Sequence, residues 1–446
     1  MKKKLVLLLL FVGFIALLAA CGNNGASDAS NEGDSNAGEG NKDPVTINLH
    51  HWYNEEQDNW HAVIEAFEEE HPHIKVNTIT TGNNNSQENR EQVDITAASG
   101  GKLDVIMLSN EADLNQRVAY GMFEPLNDYI EKVGLNMEET FLVDQSIDGV
   151  YYSLPAKYSM MFVMLNKDAL DEAGLDIPKE WTWDEFMEYA AALTQGEGSN
   201  KRYGTYFEWW PFYRTLALTN HEDAGYVKPD GKTSNMDHPM FRKSLEIRER
   251  GEQEGWATPH ADVIGAGLNY RTEYFNQRAA MLVTGSFMVA EAGGVPGSPS
   301  EFTTAFAPIP TSVKGDPITS GGGVETISIY SGSEHKDEAF EFIYWYTTKG
   351  IHLQGKYIPA TAGTDYKDIV QRLLEDSPAP EKVDIDSLVH TLEVTNVMRP
   401  LIVPYQPELD SVVQNLTDEF LLGSEDMDTT IEKVHQRVQQ VIDENN

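Results

Sequence analysis

The chain of 446 residues contains one cysteine, Cys21. A solitary thiol excludes an internal disulfide, and no neighbouring His or Cys gives it a metal-ligand spacing. Catalytic signatures are missing too: there is no G-x-S-x-G, no H-E-x-x-H and no P-loop. Cations are scarce, with 33 Lys and Arg against 71 Asp and Glu and a formal charge of −38. A field of that sign repels phosphate backbones and anionic headgroups, so nucleic-acid binding is excluded as a main role. The apolar run from Leu5 to Leu18 falls short of the roughly 20 residues that a bilayer crossing needs.

That run is nevertheless informative. Lys2, Lys3 and Lys4 precede it, and Leu18, Ala19, Ala20 and Cys21 close it. A basic start, an apolar core and small residues at its end make an export signal. The last four residues match the bacterial lipobox, in which the Cys thiol receives a diacylglyceryl group. Residues 1–20 therefore read as a lipoprotein signal peptide and Cys21 as the lipidation site; the alternative is an ordinary cleaved signal with an incidental Cys. Acyl chains contribute about 0.8 kcal/mol per buried methylene, enough for two or three of them to anchor a protein. The following "GNNGASDASNEGDSNAGEGNKD" has no apolar side chain larger than alanine, so residues 21–43 read as a flexible tether. Its reach is about 25 Å.

From Pro44 to Asn446 the chain exceeds the roughly 250–300 residues at which single cores stop growing, so two lobes are expected. Strand and helix periods alternate. "VTINLHHW" reads as a strand, and Trp60, Val63, Ile64 and Phe67 then recur at helical spacing until His71-Pro72. "IKVNTI" and "LDVIMLS" are further strands, the second of the buried parallel type. Thr182 and Glu185 form a T-x-x-E capping box ahead of Trp183, Phe186, Met187, Ala190 and Leu193. The pattern is α/β with mainly parallel sheets and no fixed-period repeat.

Five stretches in order carry a resemblance: "NWHAVIEAFEEEHPHIKV", "ASGGKLDVIMLSNEADLNQRVAYGMFEPLNDYI", the segment from "DGVYYSLPAKYS" to "AAALT", "YFNQRAAMLVTGSFMVAEA" and "GGGVETISIYSGSEHKDEAFEFIYWYTT". The chain resembles the extracellular solute-binding lipoproteins of bacterial ABC importers, in the sugar-binding family that includes the maltose-binding protein. The resemblance implies a two-lobed periplasmic-binding-protein-like α/β fold, with crossing hinge strands and a ligand cleft between the lobes. One lobe is expected to span 44–154 with 321–355, the other 155–320 with 356–446. Crossings are expected near "LPAKYS" and "ITSGGGVET", where Gly321, Gly322 and Gly323 permit backbone angles that other residues resist. The implied function is capture of a sugar or oligosaccharide for ABC permease subunits, by a lipid-anchored monomer without a cofactor.

A sugar offers hydroxyls at its edge and C–H groups on its faces, so its site needs aromatic plates with carboxylates, amides and Lys or Arg. Strand ends are where such groups collect. Trp52, Tyr53, Asn54 and Glu55 follow the first strand, and Ser109, Asn110 and Glu111 follow "LDVIML"; the resemblance puts Glu111 on the family's sugar-binding acidic position. Lys157, Tyr158 and Ser159 lie at the first crossing, Gly322 and Gly323 at the second. Trp209 and Trp210 occupy a loop-like stretch where the family often stacks rings, and Phe287 stands where many relatives have a tryptophan. Arg399 belongs to the loosely matched C-terminal hundred residues. Each has a structural alternative: Trp52, Phe287, Trp209 and Trp210 as core, Glu55 and Glu111 as surface charges, Lys157 and Arg399 as inter-lobe ion pairs. His50, His51, His61, His71 and His73 lack a metal-site pattern. The competing functions are a binding protein for a peptide, polyamine or phosphodiester, and an exported carbohydrate-active enzyme.

Overall fold

The computed structural model describes residues 44–82, 84–221, 223–295, 297–397 and 401–446. The signal, lipidation and tether assignments over 1–43, and Arg399, lie outside the described residues. The strands used below are β1 (Val45–His51), β2 (Ile74–Thr80), β3 (Val105–Leu108), β4 (Leu154–Tyr158), β5 (Met161–Asn166), β6 (Tyr203–Tyr206), β7 (Ala279–Gly285), β8 (Thr304–Pro308) and β9 (Val324–Ile329). They form a five-stranded sheet in the order β2-β1-β3-β9-β4 and a four-stranded sheet in the order β8-β5-β7-β6.

Apolar spacing explains what covers each sheet. In the helix Trp60–Glu70, Trp60, Val63 and Phe67 are buried, and the helix stops at His71, one residue before Pro72. Together with Ile47 and Leu49 of β1 and Phe342 and Ile343 of the helix Lys336–Trp345 they make the first core. The second core sits on β5 and β7. There the helix Trp183–Leu193 buries all five residues that its periodicity marks, behind a complete capping box: Glu185 N–H donates to Thr182 Oγ1 at 3.2 Å and Thr182 N–H to Glu185 Oε2 at 2.8 Å. The C-terminal helices Gln406–Leu421 and Met427–Asn445 add a further core with Leu218 and Phe241.

The sheets are mixed, which corrects the expectation of mainly parallel pairing. β1 runs parallel to β2 and β3, as the buried "LDVIML" run implies, but β9 is antiparallel to both β3 and β4. In the second sheet β5 is antiparallel to β7 and to β8, and only β6–β7 is parallel. β4 and β9 are strands at chain crossings between sheets, so they enter without a helical crossover and no rule holds them parallel.

The change of sheet falls at Ser159 and Met160, because β4 stays paired with β9 up to Tyr158. Three backbone segments meet here. Ser159 N–H donates to Gly323 O at 2.9 Å and Met161 N–H to Ser320 Oγ at 2.6 Å. On the other side of β4, Tyr158 N–H donates to Ile358 O at 2.8 Å and Ala360 N–H to Ala156 O at 2.9 Å. Gly321, Gly322 and Gly323 do not adopt a left-handed φ, so the expected reason for them is corrected. Close approach demands glycine instead: a Cβ on Gly322 would lie 1.6 Å from Ser159 O.

Candidate functional site

At the crossing, the first sheet contributes a buried chain of polar groups. β1 ends at His51, and the turn that follows carries Trp52 and Tyr53 into the edge of the core, 5% and 3% exposed. Tyr53 OH donates to Glu325 Oε2, and Glu325 Oε1 lies 2.7 Å from Lys157 Nζ. Lys157 Nζ also sits 3.8 Å from the centre of the Tyr357 ring, and Tyr357 OH donates to Asp58 Oδ1. Burial drives the phenols of Tyr53 and Tyr357 well above their ordinary pKa, with the neighbouring carboxylates adding to it, so both stay protonated donors. Burial also raises the pKa of Asp58.

The residues after β3 are committed to one another. Asn110 caps the helix Glu111–Ala119, its Oδ1 accepting from Asp113 N–H at 2.9 Å. Ser109 Oγ and Asn110 Nδ2 each donate to Asp113 Oδ2 at 3.1 Å, and Arg90 Nη1 lies 2.6 Å from Asp113 Oδ1. Glu111 reaches the second crossing, where Oε1 accepts from Val324 N–H at 3.2 Å. Its carboxylate thus joins β9 to the start of the helix, next to Gly323.

The second sheet contributes aromatic edges. Phe287 is the second residue of the short 3-10 segment Ser286–Glu291 after β7 and is half-buried. It meets Tyr270 edge-on at 6.5 Å between ring centres, and Tyr270 meets Trp210 edge-on at 5.3 Å. Trp209, 42% exposed, and Trp210 border a concavity of about 390 Å³ with Glu208, Ile264, Asn269 and Tyr270. Glu208 is buried, which raises its pKa, and it accepts from Tyr206 OH at 3.2 Å and from the N–H groups of Trp209 and Tyr270 at 3.3 Å. Beside Tyr270, Arg271 Nε donates to both oxygens of Glu291, at 2.8 and 3.1 Å. Next to Phe287, Ser286 joins this side to the crossing segment: its N–H donates to Met160 O at 2.8 Å and its Oγ accepts from Met160 N–H at 3.2 Å.

The structure thus gathers Tyr53, Lys157, Gly323 and Glu111 at the crossing, and Trp209, Trp210 and Phe287 on the aromatic side. Ser159 and Gly322 contribute backbone. Tyr158 is fully buried in the core below β5 and β7, and Trp52 lies in the first core. Asn54 is used locally, accepting from Gln57 N–H at 3.0 Å and donating through Nδ2 to Gly82 O at 3.4 Å. Glu55 faces away, towards an acidic concavity of about 480 Å³ that it shares with His61, Glu65, Glu68 and Glu69. Asp58, Glu208, Tyr270, Arg271, Glu291, Glu325 and Tyr357 escaped the sequence reading. Only Glu325 carried a usable signal, two residues beyond the glycines.

Among the described residues, His221, Asp223 and His238 have donor atoms within 4.8 Å of one another, a spacing that fits a cation. In both rings, however, Nδ1 accepts a backbone N–H, from Asp223 and from Met240. The neutral rings then carry their proton on Nε2 and have no lone pair left for a metal.

Behind the site, His51 stacks on Trp60 with ring centres 4.8 Å apart, and its Nδ1 accepts from Tyr53 N–H at 3.2 Å. Burial pulls its pKa down to about 4, against the opposing pull of Glu55. A depressed pKa means that His51 contributes stability above pH about 6.5 and that this is lost as pH falls towards 4. The raised carboxyls of Asp58 and Glu208 act with the opposite sign. The stability difference between the wild type and His51→Gln, measured by urea unfolding, is therefore expected to move by about 3 kcal/mol against the wild type between pH 7 and 4. A pH-independent difference would show that the ring is not buried neutral.

Two α/β lobes meeting at crossing strands, with aromatic edges on one side and paired charges on the other, are the architecture of a two-lobed binding protein. Residues 53–352 match the bacterial extracellular solute-binding proteins, and the chain belongs to that family. Its members bind solutes outside the cytoplasm. Over 352 residues the chain is 25% identical to the multiple sugar-binding protein of Streptococcus mutans, covering 74% of this chain and 75% of that one. Its fold is similar to that of an ABC substrate-binding protein from Listeria monocytogenes in complex with cycloalternan (TM-score 0.75, 19% identity, 90% of this chain and 99% of the other). It is also similar to UgpB from Mycobacterium tuberculosis in complex with glycerophosphocholine (TM-score 0.69, 19% identity, 91% and 99%).

Proposed function

We propose that the protein captures a sugar or oligosaccharide outside the cell and delivers it to ABC permease subunits, held at the membrane by a lipid on Cys21. The observation that carries this reading is the run of aromatic edges Trp210, Tyr270 and Phe287, next to the Ser286–Met160 contact at the crossing, together with the Lys157–Glu325 pair on the crossing strands. Aromatic faces meet sugar C–H groups, and the charged and phenolic groups meet hydroxyls. The likeness to the streptococcal multiple sugar-binding protein supports it. One lobe carries the sheet β2-β1-β3-β9-β4 and the other β8-β5-β7-β6; solute bound by both favours the closed arrangement in proportion to its preference for it.

A thermal-shift screen of mono- and oligosaccharides tests the reading, since a ligand that binds only the folded state raises its stability. With a hit in hand, Phe287→Ala is expected to weaken binding about tenfold, through lost stacking, while leaving unliganded stability nearly unchanged because the ring is only half-buried. Calorimetry and urea unfolding separate the two effects. Collapse of the unliganded variant, with normal binding by what remains folded, would make Phe287 a core residue. Cys21→Ser is expected to abolish lipid labelling and membrane retention with affinity unchanged; continued labelling would refute the lipobox.

A further inference from the structure

The charge of the solute can be read from the same site, and this step rests on the sugar reading above. The fold leaves the matter open, since a structure of this fold is in complex with glycerophosphocholine, a phosphodiester. Recognition of a phosphate group, or of a uronate carboxylate, needs a cation whose charge is available. The cations that the described residues place around the junction are each matched already. Lys157 Nζ is 2.7 Å from Glu325 Oε1, both side chains nearly buried. Arg90 Nη1 is 2.6 Å from Asp113 Oδ1. Arg271 is held by both oxygens of Glu291 and donates through Nη1 to Tyr270 OH. Two further carboxyls, Asp58 and Glu208, are buried nearby with no basic side chain within ion-pair distance of either among the described residues. An incoming anion would either break one of these pairs inside a water-poor site or sit uncompensated among carboxylates.

The same pairing suits an uncharged polyol. Arg271 spends Nε on Glu291 and Nη1 on Tyr270, which leaves the Nη2 donors, beside the acceptor oxygens of Glu291. A donor and an acceptor side by side match adjacent hydroxyls, each of which gives one hydrogen bond and takes another. We propose that the junction selects an uncharged saccharide and rejects uronates, sugar phosphates and glycerol phosphates, because Glu325 and Glu291 keep Lys157 and Arg271 neutralised when the solute arrives.

The test is a calorimetric panel on the full chain. Neutral probes are malto-, xylo- and arabino-oligosaccharides of two to six units; acidic probes are oligogalacturonates of the same lengths, glucose 6-phosphate and glycerol 3-phosphate. Binding is expected among the neutral probes alone, at least a hundredfold tighter than any acidic one. Glu291→Gln, at a partly exposed position, should uncover the Arg271 charge and narrow that ratio at least tenfold; Arg271→Gln should weaken the neutral ligand without narrowing it. An acidic probe bound by the wild type as tightly as the best neutral one overturns the charge inference and leaves the binding-protein reading standing. An unchanged ratio in Glu291→Gln overturns it as well. A panel in which nothing binds overturns the sugar reading and this inference with it.

Discussion

Lys157→Met is expected to destabilise the unliganded protein by about 3–5 kcal/mol, the cost of leaving a buried carboxylate without its partner. Glu325 would keep only the Tyr53 hydroxyl, in a site where its side chain is nearly inaccessible to water. The ammonium group also lies over the Tyr357 ring, whose hydroxyl is committed to Asp58, so its loss disturbs both carboxyls of the network. The double change Lys157→Met with Glu325→Gln is expected to recover most of the loss, because no isolated charge remains and glutamine can still accept from Tyr53. Urea unfolding of both variants decides the matter. A single variant as stable as the wild type would mean that water reaches the pair.

Gly322→Ala is expected to be strongly destabilising. The added Cβ would lie 1.6 Å from Ser159 O and 2.7 Å from the carbonyl carbon. Overpacking ordinarily costs about 1–3 kcal/mol, relieved by side chains that change rotamer. Here both atoms in collision belong to backbone, so relief requires separating two crossing segments. The bonds Ser159 N–H to Gly323 O and Met161 N–H to Ser320 Oγ would have to lengthen or break. A loss at or above the upper end of that range is expected, together with a changed distribution of lobe arrangements by small-angle scattering. Gly323→Ala is the control: its nearest neighbour would be Glu111 Oε2 at 3.5 Å, an ordinary contact, and little effect is expected. Equal losses in the two variants would show that neither reports close approach.

Local signals were the legible ones. The capping box at Thr182 and Glu185 formed as its spacing implies, because an N-cap and its N3 partner lie within one turn and need nothing from the rest of the chain. The helix from Trp60 ended at His71-Pro72 for an equally local reason. Glu55 shows where such reading stops. It is three residues from Trp52, yet it lines a concavity between the helix Trp60–Glu70 and the edge strand β2, away from the crossing. Strand direction was misjudged for a related reason: an apolar run reports burial on both faces and carries no information about which neighbour it will lie beside.

By itself, the sequence determined the alternation of strands and helices, the need for two cores, the excess of negative charge and, through five ordered stretches, the family. The first three follow from periodicity, length and composition, and the family from the resemblance that those stretches carry. Tertiary structure alone decided the site. Asp58, Lys157, Glu325 and Tyr357 are distant in the chain, and in so acidic a sequence each carboxylate reads as one surface charge among many. Only the meeting of β4, β9 and the segment at Ile358 removes them from water, and removal from water is what turns separate charges into a matched set.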